Sequence, residues 1–124
     1  MGQPTILVVD DEKEICEVTR SFLAKRNYKV FSASTGDEAL RLVNQEHPQI
    51  VLLDMRLGEE SGLDVLRNIK EAQSNIRVIM ITGLDDEESV HQAKELGADD
   101  CMIKPFTAAF LHDLLLKKAE QWQL

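Results

Sequence analysis

The segment Ile50-Val51-Leu52-Leu53-Asp54 sets the architecture of the chain. Four consecutive apolar residues rich in branched side chains describe a strand buried on both faces, and such strands belong to a parallel sheet covered by helices. The run ends on a carboxylate and passes into Met55-Arg56-Leu57-Gly58-Glu59-Glu60-Ser61-Gly62, a polar loop punctuated by glycine. Ligands of open α/β sheets gather beyond the carboxyl ends of the strands, which makes Asp54 a candidate for chemistry. An aspartate in that place also serves as a turn former or helix cap. The ends of the neighbouring strands decide between the two.

Outward from this segment, strands and helices alternate. Thr5-Ile6-Leu7-Val8-Val9 is a second apolar run, ending in Asp10-Asp11-Glu12. The helix after it carries Ile15, Thr19, Phe22 and Arg26 on one face, flanked by Cys16, Val18 and Leu23, and Asp11 with Glu14 suits its start. Tyr28–Ala33 alternates in polarity, as an edge strand does. Thr35 and Glu38 form a capping-box pattern for a second helix with Ala39, Leu40 and Val43 inward, stopping near His47-Pro48. Beyond Asp54, Gly62, Leu66 and Ile69 mark a third helix. Val78-Ile79-Met80-Ile81 is another doubly buried strand, ending in Thr82-Gly83, and Asp85-Asp86-Glu87-Glu88 opens a fourth helix with Val90, Ala93 and Gly97 inward. Cys101-Met102-Ile103 is a short strand before Lys104-Pro105. Thr107 caps a last helix with Phe110, Leu111, Leu114 and Leu115 on its buried side, which centres on Thr107, Phe110, Leu111 and Leu114, with Ala109, His112 and Leu116 opposite. Five βα units with no repeat or linker predict an α/β fold with a parallel five-stranded sheet between helices.

In such a sheet every strand ends on one edge, and that edge collects Asp10, Asp11, Asp54, Thr82 and Lys104. Three crowded carboxylates repel one another and call for a cation. Hard oxygen ligands suit Mg²⁺, which takes one or two carboxylates together with a phosphate oxygen. Thr82 offers a hydroxyl and Lys104 a point charge to such a phosphate, and Asp54 can act as the nucleophile that becomes an aspartyl phosphate. Each residue alone has a plainer explanation: an acidic helix start, a β-prone threonine, an exposed lysine before proline. Their conjunction at four strand ends favours chemistry.

Composition narrows the partners. The 124 residues fit one domain, 1–124, and 44% hydrophobic residues build a core without disulfides. Fourteen basic against twenty-two acidic residues leave a net charge of -8, which argues against direct binding of nucleic acid or an anionic membrane. Cys16 and Cys101 lack metal or redox spacing and read as buried free thiols. No signal sequence and no apolar run of membrane-spanning length is present, so a cytoplasmic location is expected.

The motifs Val8-Val9-Asp10-Asp11-Glu12, Leu53-Asp54 followed by Gly62, Ile81-Thr82-Gly83, Gly97-Ala98-Asp99-Asp100 and Lys104-Pro105-Phe106 resemble the receiver domain of two-component response regulators, over roughly residues 4–120. The resemblance implies a flavodoxin-like sheet of strand order 2-1-3-4-5. It implies that Asp54 accepts a phosphoryl group from the phosphohistidine of a sensor histidine kinase or from a phosphotransfer protein. It implies Mg²⁺ held directly by Asp11, Asp54 and the backbone carbonyl of Arg56, with Asp10 acting through a metal-bound water. Thr82 and Lys104 are then the phosphoryl-binding residues, and the Lys104-Pro105 bond is expected to be cis. The domain would assist its own phosphorylation and dephosphorylation without being a turnover enzyme. Partners, or a second copy in a homodimer, would use the face of helix 4, strand 5 and helix 5. No output domain is expected within the chain, since only one helix follows Lys104.

The chain departs from that family at three places. Cys101 stands where the family commonly has an aromatic that swings inward on activation, Gly58 stands where a proline is usual, and Arg56 and Leu84 fill variable positions on the phosphate's access route. Two alternatives fit less well. A Mg²⁺-dependent phosphatase with an aspartyl nucleophile would carry an acid two residues after it, where Arg56 stands. A receiver-like interaction domain that works without phosphorylation has no need of the full set of five site residues.

Overall fold

The computed structural model describes residues 3–83 and 85–124. Strands β1 (Ile6–Val9), β2 (Val30–Ala33), β3 (Ile50–Asp54), β6 (Arg77–Thr82) and β7 (Asp100–Ile103) form one sheet, joined by helices α1 (Lys13–Ala24), α2 (Gly36–Glu46), α3 (Gly62–Ala72), α4 (Glu87–Glu95) and α5 (Ala108–Gln121). A two-stranded hairpin, β4 (Arg56–Leu57) and β5 (Glu60–Ser61), lies between β3 and α3. The sheet order is β2-β1-β3-β6-β7, and all four pairings are parallel. This is the expected flavodoxin-like order, with β6 and β7 as the fourth and fifth predicted strands.

The doubly buried runs behave as their composition demands. Side chains alternate across a strand, so Ile50 and Leu52 point to one face while Val51 and Leu53 point to the other, and all four are fully buried. The first face packs under α1 and α5, through Cys16, Leu23, Leu111 and Leu115. The second packs under α2, α3 and α4, through Ala39, Val43, Leu66, Ile69 and Ala93. Truncating Leu52 or Leu53 to alanine would cost about 2–5 kcal/mol at such sites. The edge strand β2 is only half-buried until Ala33.

Helix ends follow local chemistry more often than the apolar pattern alone indicates. Thr35 caps α2 by accepting from the Glu38 N–H at 3.2 Å, while Glu38 reaches back to the Ser34 N–H at 3.1 Å, one residue earlier than an ideal capping box. His47 ends α2 in the left-handed conformation, at φ 49°. For α1 the expected Asp11 cap is not found: Glu12 is the cap residue without a side-chain bond, and Asp10 Oδ1 accepts the Glu12 N–H at 2.9 Å instead. Val18 is exposed and does not flank the buried face. Gly97 does not pack inward from α4: it lies one residue past the cap Leu96, at φ 100°, where it terminates the helix.

The buried face of α5 is rotated from the one expected. Leu111 and Leu115 are buried as expected, whereas Phe110, expected inward, is 54% exposed and Thr107 is exposed as the cap. His112, expected outward, turns into the α1–α5 contact, with its ring edge-on to Tyr28 at 5.6 Å and to Phe22 at 6.4 Å. Leu111 and Leu115 pack into the core, with Leu114 and Trp122 partly buried against it.

Candidate functional site

Parallel strands deliver their last residues to one edge, and the five residues singled out there come together. Asp10 follows β1, Asp54 ends β3, Thr82 ends β6 and Lys104 follows β7. Asp10 is 2% exposed, Asp54 7% and Thr82 2%, so the floor of the site is polar yet buried. Asp11 is exposed at the mouth. One carboxylate oxygen from each of Asp10, Asp11 and Asp54 lies within 4.8 Å of the others. Lys104 Nζ donates to Asp54 Oδ2 at 2.5 Å and stands 3.7 Å from Asp10 Oδ2. Asp11, Asp54, Thr82 and Lys104 line a cleft of about 620 Å³ together with Glu12, Met55, Arg56, Gly58, Gly83, Asp85 and Asp86.

The backbone holds Asp54 from three sides. The Met55 N–H donates to the Ile81 carbonyl at 2.9 Å, locking the strand exit to β6. The Arg56 N–H donates to Asp54 Oδ1 at 3.1 Å and fixes the carboxylate's rotation. Gly62 closes the base of the loop, its N–H donating to the Met55 carbonyl at 2.7 Å. A side chain at Gly62 would have a Cβ only 2.3 Å from the Asp54 carbonyl oxygen, so only glycine lets α3 start this close to Asp54.

Lys104 pairs with Asp54 and Asp10 while three carboxylates crowd the site. Burial pushes Asp10 above the ordinary carboxylate value, and the charges of Asp54 and Asp11 add to it against the Glu12 N–H and Lys104. Burial would lower Lys104, but its hydrogen bond to Asp54 and the charges of Asp54, Asp10 and Glu12 outweigh that and raise it. Lys104 is therefore a permanent cation. The Thr82 hydroxyl makes only a long 3.4 Å bond to the Gly83 carbonyl, which a better acceptor can replace. The Lys104-Pro105 bond is cis, as expected, and the Lys104 N–H donates to the Thr82 carbonyl at 2.8 Å.

Three oxygen donors in reach of one point, with a deficit of positive charge, fit a hard divalent cation such as Mg²⁺. Arg56 lies on β4 at the cleft, and Gly58 forms the hairpin tip at φ 63°. Leu84 lies outside the described residues. The acids Asp85 and Asp86 were legible only as a helix start, yet they line the cleft because they follow Thr82 on the same sheet edge.

Comparison with known proteins agrees with this geometry. The family model for the response regulator receiver domain matches residues 6–116. The chain belongs to the receiver domain family. The domain is 36% identical to sporulation initiation phosphotransferase F of Bacillus subtilis (strain 168), over 94% of both chains. Among solved structures it is similar to the receiver domain of NtrX from Brucella abortus, with 34% identity, a TM-score of 0.81, and 94% and 96% of the two chains covered. A longer NtrX chain matches at 32% identity and TM-score 0.90, and there this domain spans 98% of its own length but 28% of the other. A CheY-like receiver domain from Methanospirillum hungatei JF-1 matches at 26% identity and TM-score 0.91 over 98% and 97%. The domain therefore belongs to two-component signal transduction. Both cysteines are free, and among the described residues no helix is long and apolar enough to cross a membrane.

Proposed function

We propose that Asp54 is the phosphoacceptor, taking a phosphoryl group from the phosphohistidine of a sensor histidine kinase or phosphotransfer protein. The observation that carries this is the near-buried Asp54 carboxylate, set 2.5 Å from Lys104 and beside two further acids. An Asp54 oxygen attacks phosphorus, the phosphorus–nitrogen bond breaks, and its electron pair leaves on the imidazole. Lys104 then exchanges its bond to Asp54 for one to a phosphoryl oxygen, and the Thr82 hydroxyl turns from Gly83 to another.

Asp11, Asp54 and the Arg56 carbonyl would hold Mg²⁺, with Asp10 contributing through a bound water. When bound, that ion supplies positive charge that offsets the phosphoryl oxygens. Arg56 in place of a second acid disfavours phosphatase turnover. The domain switches, rather than catalyses, and the face of α4, β7 and α5 is where a partner or a second copy responds. Exposed Ile103, Phe110 and Leu116 on β7 and α5 favour that face.

Intact-mass measurement with Mg²⁺ and a small acyl or amido phosphodonor tests the proposal. One labile phosphoryl is expected on the parent and none on Asp54→Asn. Equal labelling of both would overturn it, and turnover of small phosphate esters would favour the phosphatase instead.

A further inference from the structure

The loop that carries Arg56 past Asp54 is a hairpin of two residues on each side, too short a ladder to hold itself in water. Its tip is Gly58, a residue that adds freedom. Its far strand, however, is tied to a different part of the fold. Glu60 Oε1 accepts the Gly36 N–H at 2.8 Å, across 24 residues of sequence. Gly36 is the first residue of α2, where backbone N–H groups lack helical partners and a carboxylate is favoured. The absence of a side chain at Gly36 makes the approach possible, because a Cβ there would lie 2.3 Å from Glu60 Oε2. Glu60 is exposed as a residue, but this bond is part-buried.

Resting on the phosphoacceptor proposal above, we infer that Glu60 is a positioning residue of the site: by capping α2 from the hairpin, it fixes β4, and with it the Arg56 backbone, beside Asp54. The chain of contacts is short. Glu60 pairs with Leu57 in the ladder, Leu57 is buried in the core under α2 and α3, and Arg56 donates its N–H to Asp54 Oδ1. Without the Glu60 anchor the hairpin keeps Leu57 and the Gly62–Met55 bond at its base, but loses the hydrogen bond that ties its outer strand to α2. A backbone ligand held by a mobile hairpin binds a cation less tightly than a fixed one.

Three variants separate positioning from stability. Glu60→Gln keeps the acceptor for Gly36, and Glu60→Ala removes it. Thr35→Ala removes another cap of the same helix, the bond to the Glu38 N–H, without touching the hairpin. The readouts are the Mg²⁺ dissociation constant by calorimetry, amide hydrogen exchange of residues 55–62 in metal-free protein, and thermal unfolding. Glu60→Ala is expected to weaken Mg²⁺ binding about tenfold, the lower range for loss of a group that orients metal ligands, and to speed exchange in 55–62. Glu60→Gln is expected to restore most of both. Thr35→Ala is expected to lower stability while leaving Mg²⁺ affinity and hairpin exchange as in the parent. Unchanged exchange in Glu60→Ala overturns the inference whether or not the metal binds. So does a loss of affinity in Thr35→Ala as large as in Glu60→Ala. If Glu60→Ala behaves as expected but Asp54→Asn still takes phosphoryl, the phosphoacceptor proposal fails and the anchor stands.

Discussion

A lone aspartate and an acidic cluster sit at opposite edges of the same sheet, and they are resolved in opposite ways. At the amino edge Asp99 is one carboxylate among donors: Lys70 at 2.9 Å, Arg77 at 3.1 Å and the Val78 N–H at 2.8 Å. At the carboxyl edge the carboxylates of Asp10, Asp11 and Asp54 crowd together, and Lys104 pairs with Asp54 and Asp10. Burial alone would raise Asp99, yet its three donors win and hold it below the ordinary carboxylate value, whereas Asp10 is raised. A cluster that is satisfied without help is structural: it ties α3, β6 and the start of β7 together. A cluster left short of positive charge is built to receive something. The contrast explains why two aspartate sites in one small domain have different fates.

The sharpest way to break the comparison is at the nucleophile. Asp54→Asn should abolish Mg²⁺-dependent phosphorylation, while Asp99→Asn should leave its extent unchanged once the protein is folded. Loss of labelling in both, with stability held above the unfolding range, would erase the distinction between the two edges.

Stability should separate them by sign. Asp99→Asn leaves Lys70 half-buried without its carboxylate and is expected to cost about 2–3 kcal/mol, below the range for a fully buried pair because Arg77 is partly exposed. Because Asp99 is held below its ordinary value, its contribution is complete above about pH 4 and fades as pH falls through the lower folded value. The gap between parent and variant in chemical denaturation should therefore be flat from about pH 5 to 8 and close in acid. Asp10→Asn should do the reverse in metal-free protein and stabilise it, on the order of 1 kcal/mol, because a buried, crowded charge is removed. Mg²⁺ at a hundred times its dissociation constant should stabilise the parent by about 2.7 kcal/mol. A destabilised, metal-free Asp10→Asn would show that the carboxyl edge is as well balanced as the amino edge.

Much of this was legible in the sequence, and the exceptions have causes. Runs such as Ile50–Leu53 and Val78–Ile81 announce themselves because both faces are buried, and a parallel sheet then places Asp10, Asp54, Thr82 and Lys104 together by topology alone. The hairpin of Arg56–Leu57 with Glu60–Ser61 carries no periodic signal, being shorter than one alternation. The Glu60–Gly36 bond joins residues 24 apart through a backbone N–H, which no side-chain pattern records. The face of α5 was misplaced because hydrophobicity ranks Phe110 above His112. In the fold, the ring of His112 fills the space between Phe22 and Tyr28, and Phe110 faces out beside Ile103, Cys101 and Leu114.

A smaller effect is expected at the mouth of the cleft. Hydrolysis of an aspartyl phosphate needs a water in line with the Asp54 oxygen. Arg56 is exposed, lines the cleft and is long enough to cover the phosphoryl. Arg56→Asn should therefore shorten the phosphoryl lifetime by several-fold, on the scale of one positioned group in general acid–base steps. A lifetime unchanged or longer, followed by loss of label over time, would show that Arg56 does not shield the phosphoryl.

The smallest effect is expected at Cys101, on β7 between the site and the exposed apolar face. The thiol is half-buried, packs against the core under α2, α3 and α4, and is raised above its ordinary value by burial, and it is too small to be a large moving part. Rotating so small a side chain shifts little volume, unlike the aromatic common in the family. If phosphorylation of Asp54 activates the domain, the expected carrier is Thr82, whose hydroxyl holds only a long 3.4 Å bond to the Gly83 carbonyl. Cys101→Ala should cost about 1 kcal/mol or less in stability and leave phosphorylation-dependent association within about twofold. Thr82→Ala should accept phosphoryl yet uncouple it from association, and Leu116→Glu, on the exposed side of α5, should weaken association without changing labelling. Sedimentation or pull-down of phosphorylated against unphosphorylated protein measures all three. A large loss of coupling in Cys101→Ala alone would make the thiol, rather than Thr82, the element that carries the signal from Asp54 to the α5 face.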